Sequence, residues 1–305
     1  VPLISQITMM QILLTPFTMC VALAYIFQSV RAQQPILALT LAIVWLFVGR
    51  GIRGMSHLWR RPEDIVLLPL VAIVAKSFQG EGAAANYLAV LTKTPFLQSM
   101  LNSIIISAGV IVLVYVFTML AAYAFGKMRF PAKRLVFNAI LVGLVLPTIA
   151  LIVPLFVMVQ RLDLFNNYLA VIIPLATTIV PFTLLLTRNY IAGIPEEVLE
   201  AARIDGCNSF SALVRIVLPL AKPITAVLIV WTFLQAWNEF FLPLLFLPDP
   251  SMQTVTTIPL YFTSTYGSDQ PKIFAALVLI CLPIVIAYLS LQKFFEKGLS
   301  AGAIK

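Results

Sequence analysis

Apolar residues in this chain run in long blocks instead of alternating with polar ones. From Thr94 to Gly126 no side chain carries a charge. Crossing a bilayer core takes about 20 apolar residues of helix, and five blocks meet or approach that length, at roughly 99–126, 135–160, 165–187, 222–247 and 273–292. A sixth block, 63–79, begins Glu63-Asp64, and its apolar part runs only from Ile65 to Ala75, so alone it is marginal. Two more lie upstream, at about 3–28 and 35–49, the second short for a full span. The pattern predicts an all-α polytopic membrane protein, with a core of six helices and two additional N-terminal ones. Prolines punctuate the blocks at Pro147, Pro154, Pro174, Pro181, Pro243 and Pro283. Each removes a backbone hydrogen bond and can kink its helix. The kinks read either as ordinary packing or as helices bent around a path.

Composition agrees: 61% of the 305 residues are hydrophobic and 10% charged, against about 25% charged in a soluble globule. The net charge of +8 fits inner-face loops and anionic lipid headgroups; no basic, aromatic-interleaved soluble segment suggests nucleic acid. With the loop at 188–222 on the inner side, that side collects Arg50, Arg53, Arg60, Arg61, Lys127, Arg129, Lys133, Arg134, Arg188, Arg203, Arg215, Lys222, Lys293, Lys297 and Lys305. The outer side keeps Arg31, Lys76, Lys93, Arg161 and Lys272, fifteen cations against five. The bias predicts a multi-pass inner-membrane protein with both termini cytoplasmic. Cys20, Cys207 and Cys281 are far apart and follow no metal or redox spacing, and His57 is the single histidine. That inventory predicts no metal, no catalytic triad and no zinc protease. The first apolar stretch lacks a basic leader and is not read as a signal peptide.

One stretch breaks the apolar monotony. Residues 200–219 combine charges, caps and a glycine: Glu200-Ala201-Ala202, three residues, Gly206, nine residues, then Ile216-Val217-Leu218-Pro219. Pro195 suits a first helical position, and Glu196 and Glu197 complement the positive end of the helix dipole. Val198, Ala201 and Ala202 are expected on one low-bulk face that another surface can approach. Gly206 is placed to end the helix in a left-handed cap, and Asn208 or Ser209 to cap a second short helix running to Leu218. Read on these residues alone, the product is a bent pair of surface helices, with or without a special role.

The Glu-Ala-Ala to Leu-Pro pattern closely resembles the cytoplasmic docking loop of ATP-binding-cassette (ABC) importer permeases. The resemblance covers about 63–305 and is specific to the sugar-importer branch, the G-type permease of maltose systems. Asn102-Ser103 opens the long span, Ala121-Ala122-Tyr123-Ala124-Phe125 closes it, and Met128-Arg129-Phe130-Pro131 follows. Trp237-Asn238-Glu239-Phe240 precedes Pro243-Leu244, and Gly298-Leu299 with Gly302-Ala303 matches the C-terminal tail. Residues 1–62 depart from the pattern as an N-terminal extension.

The resemblance implies a type I importer permease domain at 63–305, with a coupling loop at 188–222 and an outer loop at 248–272. It implies a complex with a second homologous permease, two ATPase subunits and an extracellular solute-binding protein. This chain lacks G-x-x-x-x-G-K-[ST], so ATP and Mg are expected in the partner ATPase, with no cofactor and no catalytic residue here. The expected ATPase-docking residues are Glu196, Glu197, Glu200, Ala201, Ala202, Arg203, Asp205, Gly206, Arg215, Ile216, Leu218 and Pro219. Glu239 has two open readings: a cavity-lining carboxylate beside Trp237 and Asn238 on the translocation path, or a polar clamp between helices. Asn102 is a path candidate with the same alternative. Tyr261 and Tyr266 are candidates for contact with the binding protein. Two alternatives remain at this level, an ABC permease for a non-sugar solute and an ion-coupled carrier.

Overall fold

The molecule is known from a computed structural model that describes residues 71–264 and 267–303. The helices expected at 3–28 and 35–49, and residues 63–70 of the block at 63–79, lie outside the described residues. The chain divides into two compact units, 1–86 and 87–305.

In the first unit, residues 71–77 are helical and turn at Gly80 and Gly82, with φ of 73° and 96°. The Asn86 side chain pins the turn, its Nδ2 donating to the carbonyls of Ser77 and Gln79 at 2.8 Å each. Helix α1 is Ala83–Lys93.

The second unit is built on two long helices, α2 (Phe96–Lys127) and α5 (Leu169–Ala192). At 1.5 Å per residue, α2 reaches about 48 Å, the thickness of a bilayer with its headgroups. Ser99, Ser103, Ile106, Val110, Val114 and Thr118 recur every three or four residues as its buried face, with Asn102 beside them. Leu97, Leu101, Val112 and Phe117 stay exposed, as apolar residues of a membrane helix can. Two glycines let α5 approach. A Cβ on Gly109 would sit 2.7 Å from Ile172 Cδ1, and one on Gly126 3.1 Å from Ile191 Cγ2. Small residues serve helix contact in membranes, where water supplies no hydrophobic push. Between them the hydroxyls of Thr118 and Thr183 meet at 2.9 Å.

The block expected as one span at 135–160 is two helices, α3 (Lys133–Val142) and α4 (Thr148–Arg161). The break runs from Gly143 to Pro147. Pro147 has no N–H for Gly143 O and pushes Leu146 away from helical backbone. The block at 222–247 is likewise interrupted. Helix α9 (Lys222–Trp237) stops at Asn238, and α10 (Phe241–Phe246) follows. Asn238 Nδ2 turns back to Leu234 O at 2.8 Å. Pro243 cannot donate to Glu239 O, and the Thr256 hydroxyl does so instead at 2.9 Å.

The segment expected as an outer polar loop is folded. Residues Val255–Phe262 form a 3-10 helix with Val255 and Ile258 fully buried, and Thr263–Ser264 pairs antiparallel with Gly267–Ser268. The final helix, α11, is Gln270–Ala303. Among the described residues, three helices are long and apolar enough to cross a membrane. A fourth joins them if Ser209–Leu220 and α9, which meet at 80°, form one broken span.

Candidate functional site

The residues with the docking pattern converge at the end of the bundle where α2 and α5 finish. Helix α6 (Glu196–Ile204) follows α5 after Gly193 and Ile194, with Pro195 at its cap position and Glu196 and Glu197 in its first turn. Its stop is a complete Schellman cap: Gly206 N–H reaches Arg203 O at 3.1 Å and Cys207 N–H reaches Ala202 O at 2.9 Å. That geometry needs φ > 0 at Gly206, observed at +83°. Asp205 is the capping residue before it.

Asn208 then starts the second arm, its Oδ1 accepting from Ser211 N at 2.8 Å. This arm is not a uniform helix. Helix α7 (Ser209–Ala212) passes into a π turn, Leu213–Val217, in which Leu218 N–H donates to Leu213 O five residues back. Helix α8 (Leu218–Leu220) follows. Pro219 offers no N–H to Arg215 O, which favours the wider turn locally. Such turns recur at functional sites. The chain then corners by 80° into α9.

Burial separates two faces of the elbow. Leu199, Ala212, Leu213 and Val217 point inward and join Ile191 and Ile194 in the main core; Ala202 is buried too. Glu196, Glu197, Glu200, Ala201, Arg203, Asp205, Gly206, Arg215 and Pro219 are exposed, with Ile216 and Leu218 half-buried. The face expected from Val198, Ala201 and Ala202 is therefore split: Ala202 faces in, Val198 and Ala201 face out. Leu199, the bulkiest apolar residue of the turn, takes the core position instead. On the outward face, Ile204 is 87% exposed and Phe210 68%, an apolar patch among charges.

Lys127, which sequence reasoning treated only as one of the inner cations, ties this elbow to the bundle. Its side chain is 4% exposed. The ammonium donates to Ala192 O at 3.2 Å and to Ile194 O, the carbonyl end of α5. A cation there complements the helix dipole. Glu196 Oε2 lies 3.9 Å away. The only local signal for this strut is a lysine closing a 32-residue uncharged helix. Tyr190 adds a second tie, its hydroxyl donating to Leu220 O at 3.3 Å.

The path candidates lie elsewhere, around the segment 251–256. Asn102 is fully buried and uses its whole amide: Nδ2 donates to Ser251 O at 2.8 Å and Gln253 O at 2.9 Å. Its Oδ1 accepts from Tyr168 Oη at 2.8 Å and Gln98 Nε2 at 3.1 Å. Trp237 is 1% exposed, stacks on Phe233 at 5.4 Å between ring centres, and donates Nε1–H to Ile280 O at 3.1 Å. Glu239 is half-buried, and its Oε1 accepts from Leu242 N at 3.0 Å at the start of α10. Tyr261 is 45% exposed on the 3-10 helix; Tyr266 lies outside the described residues. Among the described residues no cluster of three His, Cys, Asp or Glu could hold a metal.

Residues 115–301 match the family described as "Binding-protein-dependent transport system inner membrane component". The probable ABC transporter permease protein YurM of Bacillus subtilis is 34% identical over 205 residues, 67% of this chain and 68% of that one. The diacetylchitobiose uptake system permease protein NgcG of Streptomyces coelicolor is 28% identical over 275 residues, 84% and 90% of the two chains. The fold is that of a solved bacterial ABC transporter involved in import of the acidic polysaccharide alginate. The TM-score is 0.65 at 22% identity, over 80% of this chain and 99% of that one.

Proposed function

Because the chain belongs to the family of binding-protein-dependent transport system inner membrane components, we propose that it is the permease of a sugar or oligosaccharide importer whose elbow, Glu196 to Pro219, seats an ATPase subunit. One observation supports the docking role above the rest. The elbow is braced by the Schellman cap, the Asn208 cap and Lys127, yet leaves Ala201, Ile204 and Phe210 uncovered. A stiff lever with an unfilled apolar face suits transmission of a movement generated elsewhere. Sugar as the cargo is supported by the name of the diacetylchitobiose relative.

In this reading residues 63–305 form the permease domain and 1–62 an extension, and the elbow and both termini face the cytoplasm. Two permeases, two ATPases carrying ATP and Mg, and an extracellular binding protein make the complex. Closure of the ATPases draws the two elbows together. Lys127 and Tyr190 pass that shift to α2 and α5, and the bundle changes the side to which it opens. This is a two-state coupling without bond chemistry in this chain. Ala201, Glu200 and Arg203 contact the ATPase, and Gly206 fixes the bend. Tyr261 and Tyr266 meet the binding protein. Asn102, Trp237, Asn238 and Glu239 frame the path, Asn102 by holding Ser251 and Gln253, Glu239 by capping α10 and Trp237 by its bond to Ile280 of α11.

The test is affinity purification of wild type and Gly206→Glu from membranes, followed by mass spectrometry. An ATP-binding subunit is expected with wild type and is depleted with the variant, at equal membrane insertion. Equal recovery of the ATPase with both proteins would overturn the docking assignment. Uptake of labelled oligosaccharides against polyamines tests the cargo separately.

A further inference from the structure

Near the ends of α2 and α5, a pocket of about 390 Å³ opens where α3 begins, lined by Phe125, Lys133, Arg134, Phe137, Asn138 and Arg188. A second depression of about 560 Å³ shares Lys133, Arg134 and Asn138 and adds Leu135. Three cations face this space, brought in from α3 and α5. Among the described residues no carboxylate lies within ion-pair distance of any of them. Lys133 Nζ donates to Met128 O at 2.8 Å. Arg188 donates to Phe125 O at 3.4 Å and Asn189 Oδ1 at 3.1 Å, and its guanidinium lies 5.2 Å from the Phe137 ring centre. These neutral partners orient the cations without neutralising them. Arg134 is exposed and has no partner among the described residues.

The arrangement is also costly as it stands. Lys133 and Arg134 occupy the first turn of α3, which has no acidic residue there and no side-chain cap. Cations at that end oppose the helix dipole, so a ligand with negative charge relieves both conflicts. Immediately past the pair, α3 turns apolar, with Leu135 73% and Val136 44% exposed. A charged mouth that continues into an exposed apolar wall matches a molecule with an anionic head and hydrocarbon tails. It matches a soluble anion less well.

We propose that Lys133, Arg134 and Arg188 form a binding site for the phosphate headgroup of an anionic phospholipid, with the acyl chains lying along Leu135 and Val136. Basic pockets between membrane helices take such headgroups. Arg188 and Lys133 grip the phosphate oxygens from below, Arg134 closes over them from the rim, and Asn138 donates to the glycerol side. The site depends on the chain lying in a bilayer and not on the ATPase assignment, so the two stand or fall separately.

The test uses the full chain, purified and delipidated, titrated with phosphatidylglycerol, phosphatidylcholine or inorganic phosphate and read by native mass spectrometry. One phosphatidylglycerol is expected to be retained in preference to phosphatidylcholine, and inorganic phosphate at millimolar concentration is expected not to displace it. Arg134→Gln and Arg188→Gln should each weaken retention about five-fold, since a basic residue near a lipid surface contributes about that factor. Arg161→Gln, outside the pocket, should change nothing. Arg134 is exposed, so its variant keeps the test open if Arg188→Gln fails to fold. Equal retention of both lipids, full displacement by inorganic phosphate, or unchanged retention in folded Arg134→Gln would each overturn the proposal.

Discussion

Substituting Gly206 separates the geometry of the elbow from its bulk. A Cβ built on Gly206 meets nothing within 4 Å, and its φ is +83°. Steric collision is therefore absent, and what remains is the left-handed backbone, which costs an L residue roughly 1–2 kcal/mol. If the chain gives way instead, it loses the Gly206–Arg203 and Cys207–Ala202 hydrogen bonds, at about 1 kcal/mol each. Both routes lead to a similar figure, which corresponds to a shift of about 5- to 30-fold in the population of the correctly bent elbow. The expected order of ATPase affinity and of solute moved per ATP hydrolysed is Gly, then Asn, then Ala, then Val. Asn tolerates the left-handed region, and Val, being β-branched, is the worst fit. The measurement is uptake and hydrolysis in vesicles that reconstitute the proposed complex, with membrane insertion checked for each variant. Gly206→Ala matching wild type, or Asn performing as badly as Val, would refute the reasoning, because backbone conformation would then not be the determinant.

Other outcomes follow from the same geometry. Lys127→Met strands Ala192 O and Ile194 O and should lower stability by about 1–3 kcal/mol, while Glu196→Gln, which loses a 3.9 Å pair to a half-exposed carboxylate, should cost under about 1 kcal/mol; thermal unfolding in detergent compares them. Asn102→Leu removes the partner of Ser251 O, Gln253 O and the Tyr168 hydroxyl, so a loss of about 3 kcal/mol is expected in the same measurement; a variant of full stability that fails only in transport would indicate a path role instead. Ser251 N–H and hydroxyl hold the Asp249 carboxyl below its ordinary 3.8. The depressed value means the ionised form supports the turn above pH 3.8, and the support is lost as pH falls through the lower folded value. Protection of the Ser251 amide should thus be lost only as pH falls below 3.8, and Asp249→Asn should abolish that dependence.

The elbow is legible because its signals are local. Gly206 and Asn208 act within three residues of themselves, and both caps formed as their chemistry demands. The approachable face expected from Val198, Ala201 and Ala202 is only partly present, because Ala202 turns inward with Leu199, which has more apolar surface to bury. The two interrupted spans followed from Pro147 and Pro243, but hydropathy averages over single prolines, so 135–160 and 222–247 looked continuous. Lys127 pairs with carbonyls more than 60 residues away, and Arg188 comes to line one pocket with Lys133 only through the packing of α5 on α3. No local pattern carries such convergence. Asn102 and Glu239 were recognised as unusual for their setting. Their partners in 251–256 and at the start of α10 became apparent only with the fold.

The π turn at Leu213–Val217 holds one residue more than an ordinary turn needs. An α-helix rotates about 100° per residue, and a turn closed five residues back takes up the extra residue locally instead of passing that rotation on. Deleting a single residue there would let an ordinary ladder re-form with Leu218, Pro219 and the root of α9 near their present phase. The same deletion in a part of the elbow without such slack would swing them by about that angle, away from the 80° corner into α9.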